Sequence, residues 1–247
     1  AQPARYGRRD TRLLPGRAGT KPGCDAGHRP FAEGRRTAGP VRGTAASRGK
    51  ALLRPPQRQR PQLGLGHAIA CAQPFVGGQP FAVALGDSII GLNAQSDVLR
   101  RMTQCFLEKK AEAVIAFTEV TRDRVPHYGV AKPKEGGDVF ELEDVIEKPG
   151  VDEAPSNLVI AARYIFAPSI FEVLEQIQPG AGGEYQLTDA IRMVIQGGGK
   201  VYGVQLEANE HRYDVGNFDS YFRAFVEFAL ADEKCGPTLR KYLESIL

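Results

Sequence analysis

Two aspartates in this 247-residue chain stand where carboxylates suit metal-assisted phosphate chemistry. Asp87 follows an apolar run at residues 80–85 and a glycine, and Asp214 follows a second apolar run and a polar connection. Two carboxylates at separate strand ends can hold one Mg²⁺ between the protein and the oxygens of a phosphate. For each residue alone, an ordinary turn or cap role is the alternative interpretation.

Two further groups could bind a phosphorylated sugar. Glu147 and Lys148 precede Pro149, which fixes the backbone after them, and a lysine can meet a phosphate as a point charge. The small-residue loop at residues 180–183 leads into Glu184, whose carboxylate could bond sugar hydroxyls. The alternative for Glu147 and Lys148 is a solvated surface pair.

Hydrophobic periodicity predicts the elements that must carry these residues. Short apolar runs predict buried strands at residues 80–87, 113–120, 158–166 and 200–206, and helical spacing predicts helices at 64–72, 97–112, 168–177, 187–196, 222–231 and 237–247. Alternating apolar and acidic residues at 138–147 predict an edge strand or a hairpin arm. The first two strands and the helix between them predict a right-handed βαβ unit. The predicted fold class is therefore α/β with a mostly parallel sheet.

The order of the motifs is more specific than any one of them. The runs that carry this order are Leu63-Gly-Leu-Gly-His-Ala68, Leu85-Gly-Asp87, Tyr128-Gly-Val130, Glu147-Lys-Pro149, Ala154-Pro-Ser-Asn157, Gly180-Ala-Gly-Gly-Glu-Tyr-Gln-Leu-Thr-Asp-Ala190 and Arg212-Tyr-Asp-Val-Gly-Asn217. Together they resemble the bacterial UTP–glucose-1-phosphate uridylyltransferases (UDP-glucose pyrophosphorylases), a family of nucleotidyltransferases. The resemblance covers about three-quarters of the chain, from near Arg58 to the end.

This resemblance implies a Rossmann-like nucleotidyltransferase sheet and an enzyme that joins UTP to glucose 1-phosphate, with Mg²⁺, giving UDP-glucose and pyrophosphate. By similarity Asp87 and Asp214 are the metal-binding aspartates, and Lys148 is the catalytic lysine. The implied substrate contacts are Gln59, Gly64 and Gly66 at the nucleotide, Tyr128, Gly129 and Glu147 at the sugar and its phosphate, Asn157 and Glu184 at the glucose hydroxyls, and Gly216 beside the second aspartate. A variant that uses dTTP in place of UTP is the alternative within this class.

The chain departs from the family at the glycine-rich phosphate loop, Gly-x-Gly-Thr-Arg. Its nearest counterpart is Asp10-Thr-Arg12, in which an aspartate replaces the glycine and Arg12 is the candidate catalytic arginine. An acidic side chain in a phosphate loop repels the ligand, and no apolar strand precedes it here. Phe218 also stands where the family motif has lysine. The N-terminal strand and phosphate loop are thus predicted to be missing or scrambled, and this chain is expected to be weakly active or inactive.

Residues 1–62 differ in composition from residues 63–247. Residues 1–60 hold 15 Lys and Arg against 3 Asp and Glu, a net charge of +12, together with 9 Gly and 7 Pro. So few large apolar residues cannot offset the entropy of ordering the backbone. The segment could be a basic nucleic-acid-binding arm, a transit peptide, or translation of GC-rich DNA in the wrong frame. We favour the wrong frame, which predicts a strand and Gly-x-Gly-Thr-Arg in another frame of the encoding DNA.

A non-catalytic protein is the competing class of function: a sugar-phosphate-binding or oligomerising remnant with a basic N-terminal arm. By the resemblance we expect a homo-oligomer, with the helices of residues 222–247 as candidate contacts. We expect no membrane span, because no apolar run approaches the ~20 residues one requires. Nucleic acid is the less favoured partner. The four cysteines form no CxxC pair, so reduced thiols and a cytoplasmic location are the default expectation.

Overall fold

The computed structural model describes Gln59 and residues 61–92 and 96–247. The helices of these described residues are α1 (Leu65–Ala70), α2 (Gln73–Val76), α3 (Val98–Lys109), α4 (Ile170–Leu174), α5 (Leu187–Gln196), α6 (Phe218–Ala231) and α7 (Gly236–Ile246). The strands in the same residues are β1 (Phe81–Ala84), β2 (Ser88–Ile90), β3 (Ala113–Glu119), β4 (Gly129–Pro133), β5 (Val139–Glu147), β6 (Leu158–Phe166), β7 (Val201–Gln205) and β8 (Arg212–Asp214). Short 3₁₀ segments lie at Arg122–His127 and Ala181–Gly183.

Six of these strands form one mixed sheet in the order β1-β6-β3-β7-β5-β4. Among the described pairings only β3 and β7 are parallel, whereas β6 runs antiparallel to both β1 and β3. The α/β class is confirmed, but the prediction of a mostly parallel sheet is wrong. The apolar runs reveal which segments are buried strands but not their direction, and β6 returns between β1 and β3 to pair with both.

The antiparallel arms β4 and β5 form a hairpin, as the alternating pattern predicted, although β5 is not an edge strand. Its first three residues, 139–141, pair with β7, and its remaining part, 142–147, pairs with β4. Val130 of β4 also pairs with Val159 of β6, which itself pairs with Thr118 near the end of β3. β6 therefore lies between the start of β4 and the end of β3. The start of β4 shares an edge of β6 with β1, the strand that leads to Asp87, and this brings Tyr128 and Gly129 towards the segment that carries this aspartate.

The core lies on both faces of the sheet, because successive side chains of β3 point to opposite sides. Ile115 and Phe117 pack with α1, α4 and α5 on one face, whereas Val114 and Ala116 pack with α3 on the other. Helices on both faces of a sheet are the layering typical of α/β domains. β1 differs, since its residues alternate between partly buried and exposed, so the prediction of a fully buried strand at residues 80–87 is wrong.

Several predicted helices begin or end at other residues than expected. α5 has the predicted limits, and α4 is shorter than residues 168–177. α6 begins four residues earlier than predicted, because the side-chain oxygen of Asn217 accepts a hydrogen bond from the Ser220 amide (3.0 Å) and caps the helix. Within the described ranges no helix is long and apolar enough to cross a membrane.

The predicted boundary near residue 62 and the scrambled phosphate loop stay predictions, because residues 1–58 lie outside the described residues. The candidate catalytic residue Arg12 is also outside the described residues, so its role stays a prediction. Of the described cysteines, Cys71, Cys105 and Cys235 are free thiols. Burial raises the pKa of the Cys105 thiol to about 11, so this side chain stays protonated and behaves as a small apolar core residue.

Candidate active site

A two-stranded antiparallel sheet of β2 and β8 brings the two predicted metal ligands together. Ser88 pairs with Asp214 in this ladder, and the amide of Val215 donates to the carbonyl oxygen of Asp87 (2.8 Å). The Asp214 side chain is oriented by its own turn, since its Oδ1 accepts a hydrogen bond from the Gly216 amide (2.9 Å). The aspartates are separated by more than a hundred residues in the chain but become neighbours here.

One oxygen of each carboxylate lies close to Gly216. A Cβ placed on this glycine would lie 3.2 Å from Asp214 Oδ1 and 3.6 Å from Asp87 Oδ2, so the missing side chain leaves this space free. No cluster of three or more metal-binding side chains occurs in the part of the chain that the structure describes. Two carboxylates with further positions left open fit Mg²⁺, which keeps several waters and binds substrate phosphates.

Two arginines contact the segment around Asp87 and Asp214, the two predicted metal ligands, which we call the metal pair. Arg163 donates to the carbonyl oxygens of Ser88 (2.9 Å) and Ala162 (3.0 Å). Arg212 donates from Nε to Ser88 Oγ (3.0 Å), and its Nη2 lies 3.6 Å from Asp214 Oδ2. Burial, and secondly the neighbouring charge of Arg212, lowers the pKa of Arg163. Sequence reasoning assigned neither arginine a role, although Arg212 stands in the Arg-Tyr-Asp motif.

A second group of predicted residues surrounds the start of β4 and the end of β5. Gly129 pairs with Glu147 in the β4–β5 ladder, and the Lys148 amide donates to the carbonyl oxygen of Tyr128 (3.0 Å). A Cβ on Gly129 would lie 2.7 Å from Ile160 Cδ1, so only glycine fits here without displacement of its neighbours. The ring of Tyr128 lies 5.1 Å from the guanidinium carbon of Arg212, which links this group to the metal pair.

Lys148 has an unusual backbone for a residue with a long side chain. Its φ is +45°, in the left-handed region that non-glycine residues adopt rarely and at a cost of order 1 kcal/mol. Its side chain is largely exposed, and Nζ lies 4.0 Å from Glu147 Oε1. Strain of this kind concentrates at functional sites, where the surrounding structure fixes the direction of a side chain.

A cavity of about 170 Å³ lies between these two groups. Its walls include Tyr128, Gly129 and Glu147 from the hairpin, Arg212 from β8, and Tyr164 and Ala162 from β6. Burial and, secondly, the Glu147 charge raise the pKa of Tyr164, so its hydroxyl stays protonated. A larger polar cavity of about 550 Å³ adjoins it and contains Asp214, and Tyr128 and Arg212 line both. The arrangement offers cationic, carboxylate and hydroxyl groups around one concave surface, which suits a phosphorylated sugar.

The predicted nucleotide loop lies next to this cavity. Gly64 has φ +90°, and a Cβ on it would lie 2.9 Å from the Tyr185 carbonyl oxygen. The Gly66 amide donates a hydrogen bond to that same oxygen (2.9 Å). The backbone of this loop can approach residues 184–186 so closely because glycine has no side chain. Gln59 donates from Nε2 to the Gly64 carbonyl oxygen (3.1 Å) and lies 2.6 Å from Nδ1 of His67.

The structure does not bring every predicted residue into the cavity wall. Asn157 lies at the start of β6 and its side-chain oxygen faces Arg122 (3.4 Å). The carboxylate of Glu184 is exposed and accepts a hydrogen bond from Gln186 (3.2 Å). The roles predicted for these two residues at the glucose hydroxyls stay predictions.

Ala162, in the cavity wall, has a strained backbone conformation. Its φ is +58° inside β6, opposite the bulge where the β3–β6 register shifts between Ile115 and Phe117. Glycine adopts this conformation without the Cβ penalty, so we expect Ala162→Gly to raise the free energy of unfolding by up to about 1 kcal/mol. Urea denaturation measures this change. Ala161→Gly is the control, because that buried neighbour lacks the strain and should lose stability. An equal loss in both variants would contradict the interpretation.

The chain is similar in sequence to known nucleotidyl transferases. Protein-family models match the nucleotidyl transferase family over residues 46–230. The UTP–glucose-1-phosphate uridylyltransferase of Bacillus subtilis (strain 168) is 39% identical over 193 residues, which cover 77% of this chain and 63% of the relative. The enzyme of the same name from Staphylococcus epidermidis (strain ATCC 12228 / FDA PCI 1200) is 38% identical over 190 residues, or 76% of this chain and 64% of the relative.

Solved structures agree with these relatives. A UDP-glucose pyrophosphorylase complexed with UDP-glucose superposes with a TM-score of 0.63 at 36% identity, covering 68% of this chain and 62% of that one. A UTP-bound enzyme of this type from Acinetobacter baumannii gives a TM-score of 0.67 at 29% identity, covering 76% and 64%. The chain therefore spans a little less than two-thirds of the length of the relatives it matches.

Proposed function

Because this chain belongs to the nucleotidyl transferase family, we propose that its site transfers a uridylyl group from UTP to glucose 1-phosphate. The observation that carries the proposal is that oxygens of Asp87 and Asp214 approach the same point at Gly216, and that Asp214 lines a cavity adjoining the one lined by Glu147. The names of the relatives support the choice of UTP and glucose 1-phosphate over other nucleotide and sugar pairs.

The chemistry requires positioning and charge neutralisation more than covalent help from the protein. An oxygen of glucose 1-phosphate attacks the α-phosphorus of UTP in line, the bond to the β-phosphate breaks, and pyrophosphate leaves. In this proposal Lys148 steadies the attacking phosphate, Glu147 bonds the sugar, and the Gly64 loop holds the uracil. Asp87 and Asp214 would hold Mg²⁺, which when bound neutralises charge on the phosphate oxygens.

The sequence of residues 10–21 departs from the family's phosphate loop, and we therefore expect a low rate of UDP-glucose formation. The proposal assigns binding of the sugar nucleotide to the described residues, and binding of the leaving pyrophosphate to the loop that Asp10 disrupts. Purified full-length protein with UTP, glucose 1-phosphate and Mg²⁺ should therefore bind UDP-glucose and form it only slowly, and dTTP should be the poorer substrate. Absence of both UDP-glucose binding and UDP-glucose formation would refute the proposal, and rapid turnover would refute the expected impairment.

The homo-oligomer expected from the sequence belongs to the same proposal. One face of α6 exposes five large apolar side chains at helical spacing, namely Phe218, Tyr221, Phe222, Phe225 and Val226. A contiguous exposed apolar patch is typical of a protein–protein contact, and a second copy of this chain is the partner we propose. The cytoplasmic location expected from the sequence stays a prediction.

Charge on this face should separate the copies. We expect Phe225→Asp to shift the protein to monomer, because a carboxylate buried in an apolar contact is strongly unfavourable. Light scattering after size exclusion measures the mass. Leu107→Asp on α3 is the matched control, since Leu107 is also large, apolar and exposed but lies on a different helix. A monomeric parent protein, or an equal effect of both substitutions, would contradict the contact.

A further inference from the structure

Three polar residues of the described core are buried to the same degree: Ser88, Thr188 and Glu210, each 4% exposed. Ser88 is bound by Arg163 and Arg212 in the support of the metal pair. Glu210 is bound to the start of α3. Thr188, in the first turn of α5, is the remaining one, and its partner is the carboxylate of Glu147 in the candidate sugar cavity.

The contact with Thr188 gives the two oxygens of the Glu147 carboxylate different surroundings. Thr188 Oγ1 donates to Oε2 (3.0 Å), whereas Oε1 is 4.0 Å from Lys148 Nζ, too far for a hydrogen bond. Glu147 is the last residue of β5 and its side chain is partly exposed in the cavity wall. One oxygen is therefore held by the protein while the other keeps its capacity to accept a hydrogen bond from a ligand.

The two branches of the threonine side chain serve different neighbours. The hydroxyl binds Glu147, and the methyl carbon Cγ2 lies 3.0 Å from the point where a Cβ of Gly129 would be. The methyl group thus fills the space beside Gly129, and the hydroxyl determines the rotamer of the carboxylate. Serine retains the hydroxyl without the methyl, whereas valine retains the shape without the hydroxyl.

We infer that Thr188 is a positioning residue for the sugar: its hydroxyl fixes Glu147 so that the second carboxylate oxygen is presented to a sugar hydroxyl. This inference rests on the proposed function, because it takes the sugar to be the ligand at Glu147. The α5 N-terminus adds to the effect, since its partial positive charge attracts the negative carboxylate beside the first turn. Loss of the hydroxyl frees the carboxylate to rotate and weakens the sugar contact without altering the nucleotide contact.

Two ligands that differ only in the sugar test the inference. Isothermal titration of the full-length chain with UDP-glucose and with UDP measures the contribution of glucose to affinity. We expect Thr188→Val to weaken UDP-glucose about tenfold and to leave UDP within about twofold, because a hydrogen bond to a charged group is lost. Thr188→Ser should bind UDP-glucose within about twofold of the parent protein, since it keeps the donor.

Thr103→Val is the matched control. The Thr103 hydroxyl donates to the carbonyl oxygen of Leu99 (2.7 Å) on the exposed side of α3, and neither residue lines the two cavities of the candidate site, so its loss should change neither affinity. The inference is overturned if Thr188→Val weakens UDP and UDP-glucose equally, if it weakens neither, or if Thr188→Ser is as impaired as the valine variant.

A crystal structure of ligand-free Thr188→Val separates this inference from the proposed function. If the parent protein binds no UDP-glucose, the proposed function fails, and the position of Glu147 then decides the positioning role alone. A displaced or disordered carboxylate in the valine variant, with the parent rotamer retained in Thr188→Ser, supports the role of the hydroxyl. A carboxylate that keeps its place in the valine variant overturns it.

Discussion

Glu210→Ala is expected to lower the free energy of unfolding by about 3–5 kcal/mol, the range for removal of one partner from a buried ion pair. The buried carboxylate of Glu210 pairs with Arg101 of α3. Its Oε1 accepts from Ser96 Oγ (2.7 Å) and from the amide of Val98 (3.0 Å), and Oε2 accepts from the Glu207 amide (2.9 Å). Alanine would leave these donors and the guanidinium without their acceptor. Chemical denaturation followed by circular dichroism measures the loss.

Glu210→Gln is the informative companion, because glutamine retains an acceptor but not the charge. It should lose less stability than the alanine variant. Asp219→Ala is the control, since this exposed carboxylate pairs with Arg223 within α6, and surface pairs of that kind contribute about 0–1 kcal/mol. Equal losses in Glu210→Ala and Asp219→Ala would show that the buried network does not hold α3 to the connection before β8.

The same residue predicts how stability depends on pH. Burial by itself would raise the pKa of Glu210, but the hydrogen bonds from the Glu207 amide and from Ser96, with the charge of Arg101, outweigh it and lower the pKa below its usual value. A carboxyl group with a lowered folded-state pKa stabilises the protein above its unfolded pKa of about 4.3 and loses this contribution as pH falls through the folded value. Stability should therefore fall below about pH 4, and less steeply in Glu210→Gln.

Local signals predicted the elements that depend on local patterns. The limits of α5 at residues 187–196 follow from the spacing of its apolar residues, and β3, β6 and β7 follow from their continuous apolar runs. Strand direction did not follow, because β6 pairs antiparallel with both β1 and β3 through contacts distant in sequence. The three-residue strands β2 and β8 are too short to leave a periodic signal, and yet their pairing brings Asp87 and Asp214 together.

In the candidate site, too, single residues could be predicted from the sequence but the contacts between distant residues could not. Position after apolar runs and motif order pointed to Asp87 and Asp214, and motif order to Glu147. The structure places oxygens of both aspartates near Gly216, and Asp214 and Glu147 line adjoining cavities. The contact between Thr188 and Glu147 joins residues 41 positions apart, and that between Glu210 and Val98 joins residues 112 apart. Contacts between residues so distant in sequence cannot be predicted from one sequence, because each partner alone fits an ordinary role as a helix-start or loop residue.

Replacement of either metal-pair aspartate by asparagine is expected to weaken divalent-cation binding by about tenfold or more. Asp87→Asn and Asp214→Asn each remove one negative charge from a site in which an oxygen of each carboxylate lies close to Gly216. Mn²⁺ is the probe, because the free ion gives an electron paramagnetic resonance signal that disappears on binding. Asp219→Asn on α6 is the control and should leave the Mn²⁺ affinity unchanged. UDP-glucose formation, where it is measurable, should fall with the affinity.

The stability of the same variants separates a binding role from a structural one. Without a cation the two carboxylates repel each other, so removal of the Asp87 charge should leave the unfolding midpoint unchanged or raise it. Asp214→Asn also loses the ion pair with Arg212, which offsets the relieved repulsion, so its midpoint should change little. In Asp214→Asn the amide side chain would still offer an oxygen to the Gly216 amide, which now donates to Asp214 Oδ1, so the turn is preserved. A structural aspartate would show the opposite result, with loss of stability and no change in Mn²⁺ binding. Lost Mn²⁺ affinity together with retained or increased stability therefore identifies residues whose charge serves the ligand and not the fold.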